Sequence, residues 1–350
     1  MDQGPGKLGS ITPAEALRHQ SMPRDPIKKD PPKMFKKERS RTRMAALLLA
    51  TGLVAAACGN DTTVDADAAA GAAAEATDAT EADAAGDSAL TVNFEGLEPL
   101  GEGFVYEGWV VVDDAPVSTG RFVLDADGNQ EVVAEADFGD ISAASAYILT
   151  VEPAENDDPA PADVKLLAGD IVDGEAALTV DHPAALGTDY AEAAGQFIVA
   201  TPSSESTDDE YSGVWFIEIV DGAPAQGLEV PVLPAGWVYE GWVVIDGEPF
   251  STGRFTDPGA PDDFAGYSGE AGTPPFPGED FVANAPEGFE FPTDVRGSDV
   301  VLSIEPEDDD SPAPFVLKPL ATTIPADVES GTGIELGAGP AFPTGTATLG

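Results

Sequence analysis

At 350 residues the chain has room for about two domains, and its formal net charge of −48 excludes a nucleic-acid-binding surface. The charge is unevenly placed: residues 1–58 hold 11 Lys and Arg against 5 Asp and Glu, so 59–350 carry 5 basic and 59 acidic residues, a net of −54. Such a surface also repels anionic lipid headgroups, and it suits either a secreted protein adapted to salt or one that collects cations.

The elements begin with a leader. Lys36, Lys37, Arg39, Arg41 and Arg43 precede a 14-residue apolar run, MAALLLATGLVAAA at 44–57, which ends at Cys58. A basic segment, an apolar stretch and small residues before a cut make a secretory signal over 34–58. The run is shorter than the roughly 20 residues that cross a bilayer. The chain's one cysteine stands where cleavage falls, and Ala55-Ala56-Ala57-Cys58 resembles a bacterial lipobox with Ala in place of the usual Leu. Cys58 is therefore expected to be lipidated, anchoring the protein on the extracytoplasmic side of a membrane. The mature chain then has no thiol for a disulfide or metal site. Met34 reads as a translation start, with 1–33 upstream of it or forming a short disordered tail. Residues 59–88, rich in Ala, Asp, Thr and Glu without an aromatic, cannot bury enough surface to order themselves; they read as an acidic linker.

From residue 89 the texture is β: short runs of Val, Ile, Phe, Trp and Tyr between Gly, Pro, Asp and Asn. Strands are predicted at 90–94, 105–112, 117–124, 131–135, 146–152, 176–180, 196–200 and 213–219. Further strands are predicted at 228–232, 238–245, 250–255, 299–305, 315–317 and 345–349. The phrase FVYEGWVVVDDAPVSTGRF at 104–122 returns as WVYEGWVVIDGEPFSTGRF at 237–255, with 14 of 19 positions identical. A second block, LTVEPAENDDPAPADVKLL at 149–167, returns as LSIEPEDDDSPAPFVLKPL at 302–320, with nine of 19 identical. Two blocks repeated in order predict a duplicated domain. The expected architecture is all-β: two tandem antiparallel β-sandwiches, 89–222 and 223–350, the second with a loop insertion at 256–298.

The order Y-E-G-W-V-V, P-V-S-T-G-R-F, then L-T-V-E-P…P-A-P is similar to the C-terminal extracytoplasmic domain of anti-sigma-K-type factors. Tyr106–Val112, Val117–Phe122 and Leu149–Pro161 carry the pattern, and Tyr239–Ile245, Phe250–Phe255 and Leu302–Pro314 carry it again. Where that family favours Gly-Gly after E-P, this chain has Glu155-Asn156 and Asp308-Asp309. The resemblance implies a β-sandwich. An anti-sigma factor also needs a sigma-binding domain and a membrane-spanning helix; no zinc motif is present and the stretch before Met44 is short, so no direct sigma-factor contact is expected.

Candidate chemistry is sparse. No catalytic residue, cofactor or metal site is expected. His182, the only histidine after Cys58, reads as a surface turn residue; adjacent Asp181 would point to the opposite face. Asp125-Ala126-Asp127-Gly128-Asn129 lacks the later ligands of a Ca²⁺ loop and reads as a turn. The acidic runs 156–158 and 308–310 are solvated turns, or weak divalent sites if Asp157, Asp158, Asp308, Asp309 and Asp310 act together. Four of the five cations stand at repeated places, Arg121 with Arg254 and Lys165 with Lys318, and read as structural partners for carboxylates. For the arginines the first candidates are Glu107 and Glu240. The insertion's Phe264, Tyr267, Phe276 and Phe281, with Phe289 and Phe291, either cover a sheet edge or form a binding loop for a glycan or peptide. The function expected is non-catalytic binding or structural work at the envelope, with an envelope protein or glycan as partner. A regulatory sensor is the alternative, and a surface carbohydrate hydrolase a lesser one.

Overall fold

The computed structural model describes residues 89–126, 128–134 and 138–350, all within one compact unit. The leader, Cys58 and the linker 59–88 lie outside the described residues. Strands and turns make up the described chain, and no helix in it is long and apolar enough to cross a membrane. In chain order the strands are β1 (Leu90–Glu95), β2 (Phe104–Val112), β3 (Ala115–Leu124), β4 (Gln130–Ala134), β5 (Ala144–Pro153), β6 (Lys165–Asp170), β7 (Glu175–Leu178) and β8 (Ala194–Val199). Then come β9 (Gly213–Trp215), β10 (Ile217–Val220), β11 (Ala223–Gln226), β12 (Leu228–Glu229), β13 (Trp237–Ile245), β14 (Glu248–Phe255) and β15 (Gly278–Asp280). The last are β16 (Asp299–Pro306), β17 (Leu320–Thr323), β18 (Gly333–Glu335), β19 (Gly337–Ala338) and β20 (Thr344–Leu349).

The fold is all-β and antiparallel, as the sequence predicts. The two repeated blocks build two main sheets, β4-β3-β2-β5-β6 and β14-β13-β16-β17-β19. The repeated hairpins pair in the same register. Tyr106 pairs with Phe122, Glu107 with Arg121 and Gly108 with Gly120; Tyr239 pairs with Phe255, Glu240 with Arg254 and Gly241 with Gly253. Both hairpins then slip by one residue, at Gly108/Trp109 and Gly241/Trp242. A Cβ on Gly108 would strike the Tyr147 hydroxyl, and one on Gly241 the Phe216 ring, so the repeated glycine is a packing requirement. The turns have positive φ at both central residues, Asp113 and Asp114 in one, Asp246 and Gly247 in the other. That geometry matches the twist of the flanking strands.

A smaller sheet faces each main one, and its central strand comes from the other half of the chain. Against the first main sheet lies β1-β20-β7, with the Phe94 ring 5.6 Å from Phe122. Against the second lies β12-β8-β9-β15, with β18 also on β8, and Phe281 meets Phe250 at 6.0 Å. The places of β20 and β8 are equivalent. Gly345 of β20 stands opposite Phe94 and Leu178. Gly195 of β8 stands opposite Leu228 and accepts a hydrogen bond from Leu336 N–H at 2.8 Å. Strand β8 thus completes the sheet facing the second repeat, and β20 completes the one facing the first. One hydrophobic cluster runs through both halves, from Tyr106, Val110 and Leu149 to Tyr239, Leu302 and Ala347.

Two expectations need correction. Residues 315–317 are not a strand: Leu317 gives a single carbonyl to Ile304 N–H, and Pro319 follows without a donor, so pairing resumes only in β17. The predicted strand 213–219 breaks at Phe216, whose N–H turns to Pro277 and whose carbonyl turns to Gly227.

Candidate functional site

The repeated phrase positions a buried polar network, present twice. In the first main sheet Trp109 Nε1 donates to Thr150 Oγ1 at 2.9 Å, and Thr150 donates to Glu152 Oε1 at 2.5 Å. Ala162 N–H caps the same carboxyl oxygen at 2.8 Å. In the second, Trp242 Nε1 donates to Ser303 Oγ at 2.8 Å, Ser303 donates to Glu305, and Phe315 N–H reaches Glu305 Oε1 at 2.9 Å. Beside each chain sits a second carboxyl: Ser118 donates to Glu107, and Ser251 donates to Glu240. Two further hydroxyls close equivalent corners, Tyr106 to Glu98 O at 2.7 Å and Tyr239 to Pro231 O at 2.6 Å.

Three of these carboxyls are buried, and Glu240 is half-buried. Glu107, Glu152 and Glu305 are 5 %, 1 % and 1 % exposed. Loss of hydration raises all four pKa values, to about 7 for Glu240 and about 8 for Glu305, against weaker opposition from their hydroxyl donors. The same burial raises the tyrosines, Tyr147 to about 12. Glu152 Oε1 accepts from Thr150 and Ala162 N–H, Glu305 Oε1 from Ser303 and Phe315 N–H, and Glu107 Oε2 faces Arg121 without a hydrogen bond.

Three of the four repeated cations, Arg121, Arg254 and Lys318, stand beside carboxylates, and Lys165 holds a carbonyl instead. Arg121 Nε lies 3.3 Å from Glu107 and its Nη2 lies 3.5 Å from Asp157, while also donating to Pro153 O. Arg254 stands opposite Glu240 in register but pairs with Asp263, at 3.8 Å, and donates to the carbonyls of Glu307 and Asp309. The insertion brings Asp263 back across β14, and Asp263 also accepts from Arg254 N–H at 2.9 Å. Lys165 caps Ala162 O at 3.1 Å, whereas Lys318 reaches Glu98, 3.3 Å away on the first half.

The insertion adds β15 to the outer edge of β9. Phe281 is fully buried, and Phe264, Tyr267 and Phe276 are half-buried. Phe250 gathers Tyr267, Phe281, Phe289 and Phe291 within ring-centroid distances of 4.8–6.0 Å. Phe276 packs on a separate cluster of Ile198, Ala200, Trp215 and Ile217. Below them is a network without signature in the repeats. Asp280, fully buried, accepts from Ser203 N–H and Oγ at 2.8 and 2.5 Å and from Trp215 Nε1 at 2.7 Å. Burial raises Asp280 to about 7 and neighbouring Glu279 to about 8. The Gly-Glu-Asp run at 278–280 gave no sign of this, since acids are everywhere in the sequence.

The remaining candidates are structural. His182 sits in a turn; its Nδ1 accepts from Ala184 N–H at 3.1 Å, which leaves Nε2–H to donate to Asp170 at 3.3 Å rather than to Asp181. Asp125 closes a turn by accepting from Asn129 N–H at 2.8 Å. Asp158 and Asp309 cap nearby N–H groups of Ala160 and Ser311. Among the described residues no group of three or more His, Cys, Asp or Glu is placed to hold a metal ion.

Residues 42–164 match the family model described as the C-terminal part of the anti-sigma-K factor rskA. The match takes in the first repeated sheet as far as the residue before β6, so the chain carries an anti-sigma-factor-like domain there. Neither a curated protein nor a solved structure matches the chain.

Proposed function

We propose that the protein is a non-catalytic cell-envelope protein, anchored through lipid on Cys58 to the extracytoplasmic side of a membrane. Its duplicated anti-sigma-like β-sheets serve binding or structural work. One observation carries the non-catalytic reading: the chemistry-bearing residues of the repeated phrase are used up inside the fold, twice over and in the same way. Of the two carboxyl pairs that a glycoside hydrolase would need, Glu107, Glu152 and Glu305 are buried, and each pair has hydrogen-bond donors of its own. The partner class is an envelope protein or glycan, with no nucleic acid and no direct sigma-factor contact. The match to an anti-sigma-K factor favours a second reading, an extracytoplasmic regulatory sensor without its own sigma-binding part.

Cys58→Ser tests the anchor. The variant is expected to leave the membrane fraction, since acyl chains contribute about 0.8 kcal/mol per buried CH₂. Retention at unchanged mass would overturn the anchor. Polysaccharide hydrolysis by the purified protein, abolished in Glu305→Gln, would overturn the non-catalytic reading.

A further inference from the structure

The two halves differ at one edge. In the second half the outer edge of β9 is covered by β15, which pairs Gly278 with Trp215, Glu279 with Val214 and Asp280 with Gly213. In the first half the equivalent edge belongs to β1, which pairs with β20 on one side and, among the described residues, ends the sheet on the other. The equivalence follows from register: Leu90 faces the last residue of β20, as Val214 faces the last residue of β8. Phe94 faces Gly345 as Leu228 faces Gly195.

What covers one edge and not the other is visible in burial. Val214, Phe216 and Leu228 are fully buried. Leu90, Val92 and Phe94, on the same side of β1, remain half-exposed. Beside them runs a groove of about 530 Å³, walled by Phe94, Phe122, Phe138 and Tyr147. Val132 of β4 stands on its far rim, 57 % exposed. The backbone is also poised. Gly350 N–H donates to Ala89 O at 2.7 Å, so residues 89, 91, 93 and 95 turn their polar groups to β20. Those of Leu90, Val92 and Phe94 turn to the open edge.

We propose that the β1 edge and its groove bind an extended segment of a partner protein, neutral or basic, which adds to the sheet as an antiparallel strand and drops an apolar or aromatic side chain into the groove. The proposal rests on the binding reading above and names its partner. The second half supplies the template, because its own chain occupies the equivalent edge with Phe281 buried behind it. Charge sets the partner's sign: 59 acids against 5 bases repel an acidic strand, and the one cation at the groove, Arg121, is already held by Glu107 and Asp157.

The test uses the full chain in detergent and synthetic nine-residue peptides that alternate Thr with Phe or Val, in neutral, Lys-containing and Glu-containing versions. Neutral and basic peptides are expected to bind, with the acidic ones and those carrying a central Pro weaker by about tenfold or more. Val92→Pro removes an outward N–H and leaves the β1–β20 hydrogen bonds in place, and Val132→Lys changes a rim residue that is 57 % exposed. Both should weaken binding by about tenfold, while Val220→Lys, on β10, should not. In the free chain the amides of Leu90, Val92 and Phe94 should exchange quickly and become protected by peptide. Equal binding of all peptides, or binding untouched in both variants, overturns the proposal. So does self-association lost in Val92→Pro without peptide binding, which would make a second copy the occupant. Amides protected in the free chain until 59–88 are deleted would make the linker the occupant, with the same consequence. Peptides recovered cleaved would instead sink the non-catalytic reading and leave the groove standing.

Discussion

Glu305 shows how far burial governs single residues here. Its carboxyl is 1 % exposed, accepts from Ser303 and Phe315 N–H, and titrates at about 8 because it has lost its hydration, with Glu240 nearby adding to the rise. A folded pKa above the unfolded value of about 4.3 means that the folded state holds the proton more tightly. Stability should therefore fall as pH rises from about 4.5 to about 8, at up to about 1.4 kcal/mol per unit for each such group. Thermal melts across that range are expected to show a lower Tm at pH 8 than at pH 5. Glu305→Gln, which keeps the acceptor and loses the charge, should flatten the slope. A slope unchanged in that variant would clear Glu305 of any part in it. The Arg121–Glu107 pair was only partly legible in the sequence: the hairpin and its two charges were visible, but counting back from a two-residue turn sets Glu107 opposite Gly120, and the one-residue slip at Gly108/Trp109 is what brings Arg121 into register. The Arg254–Asp263 pair was not legible, since Asp263 arrives from an insertion whose path no periodicity announces.

Among the elements, the main sheets were readable and the facing sheets were not. Repeated phrases with matched turns identified β2, β3, β5, β13, β14 and β16, and alternation marked β1, β8 and β20 as strands. Local pattern says which residues face a core, not which neighbour completes the ladder. The exchange of β8 and β20 between halves is therefore invisible in the sequence, and short strands such as β15 and β18 have too few residues to show alternation. That exchange has a testable result. Deleting residues 344–350 strips a partner from both β1 and β7. The amides of Thr91, Asn93 and Ala176 should lose protection, although Thr91 and Asn93 are about 250 residues away from β20 in sequence. Loss of protection confined to β16, β17 and β19 would mean that β20 serves its own half instead.

For the whole molecule, charge is the contribution to stability that solution conditions change most. At about 0.01 M salt the Debye length is about 30 Å, so most of the acids repel one another; at about 1 M it is about 3 Å. The Tm is expected to climb substantially over that range, in NaCl or KCl alike, because screening relieves self-repulsion in the compact state. A flat response to monovalent salt with a sharp rise in millimolar CaCl₂ would assign the acids to metal instead. The same charge acts before the protein is folded. A chain made at about 5–20 residues per second needs about ten to thirty seconds to travel from β7 to β20. Through that interval the gap between β1 and β7 stays open, since the strand that fills it does not yet exist. Two growing chains meeting then would offer each other bare strand edges, the usual start of a β aggregate. The acidic residues already made keep such chains apart, so part of their value lies in a waiting period that leaves no mark on the finished fold.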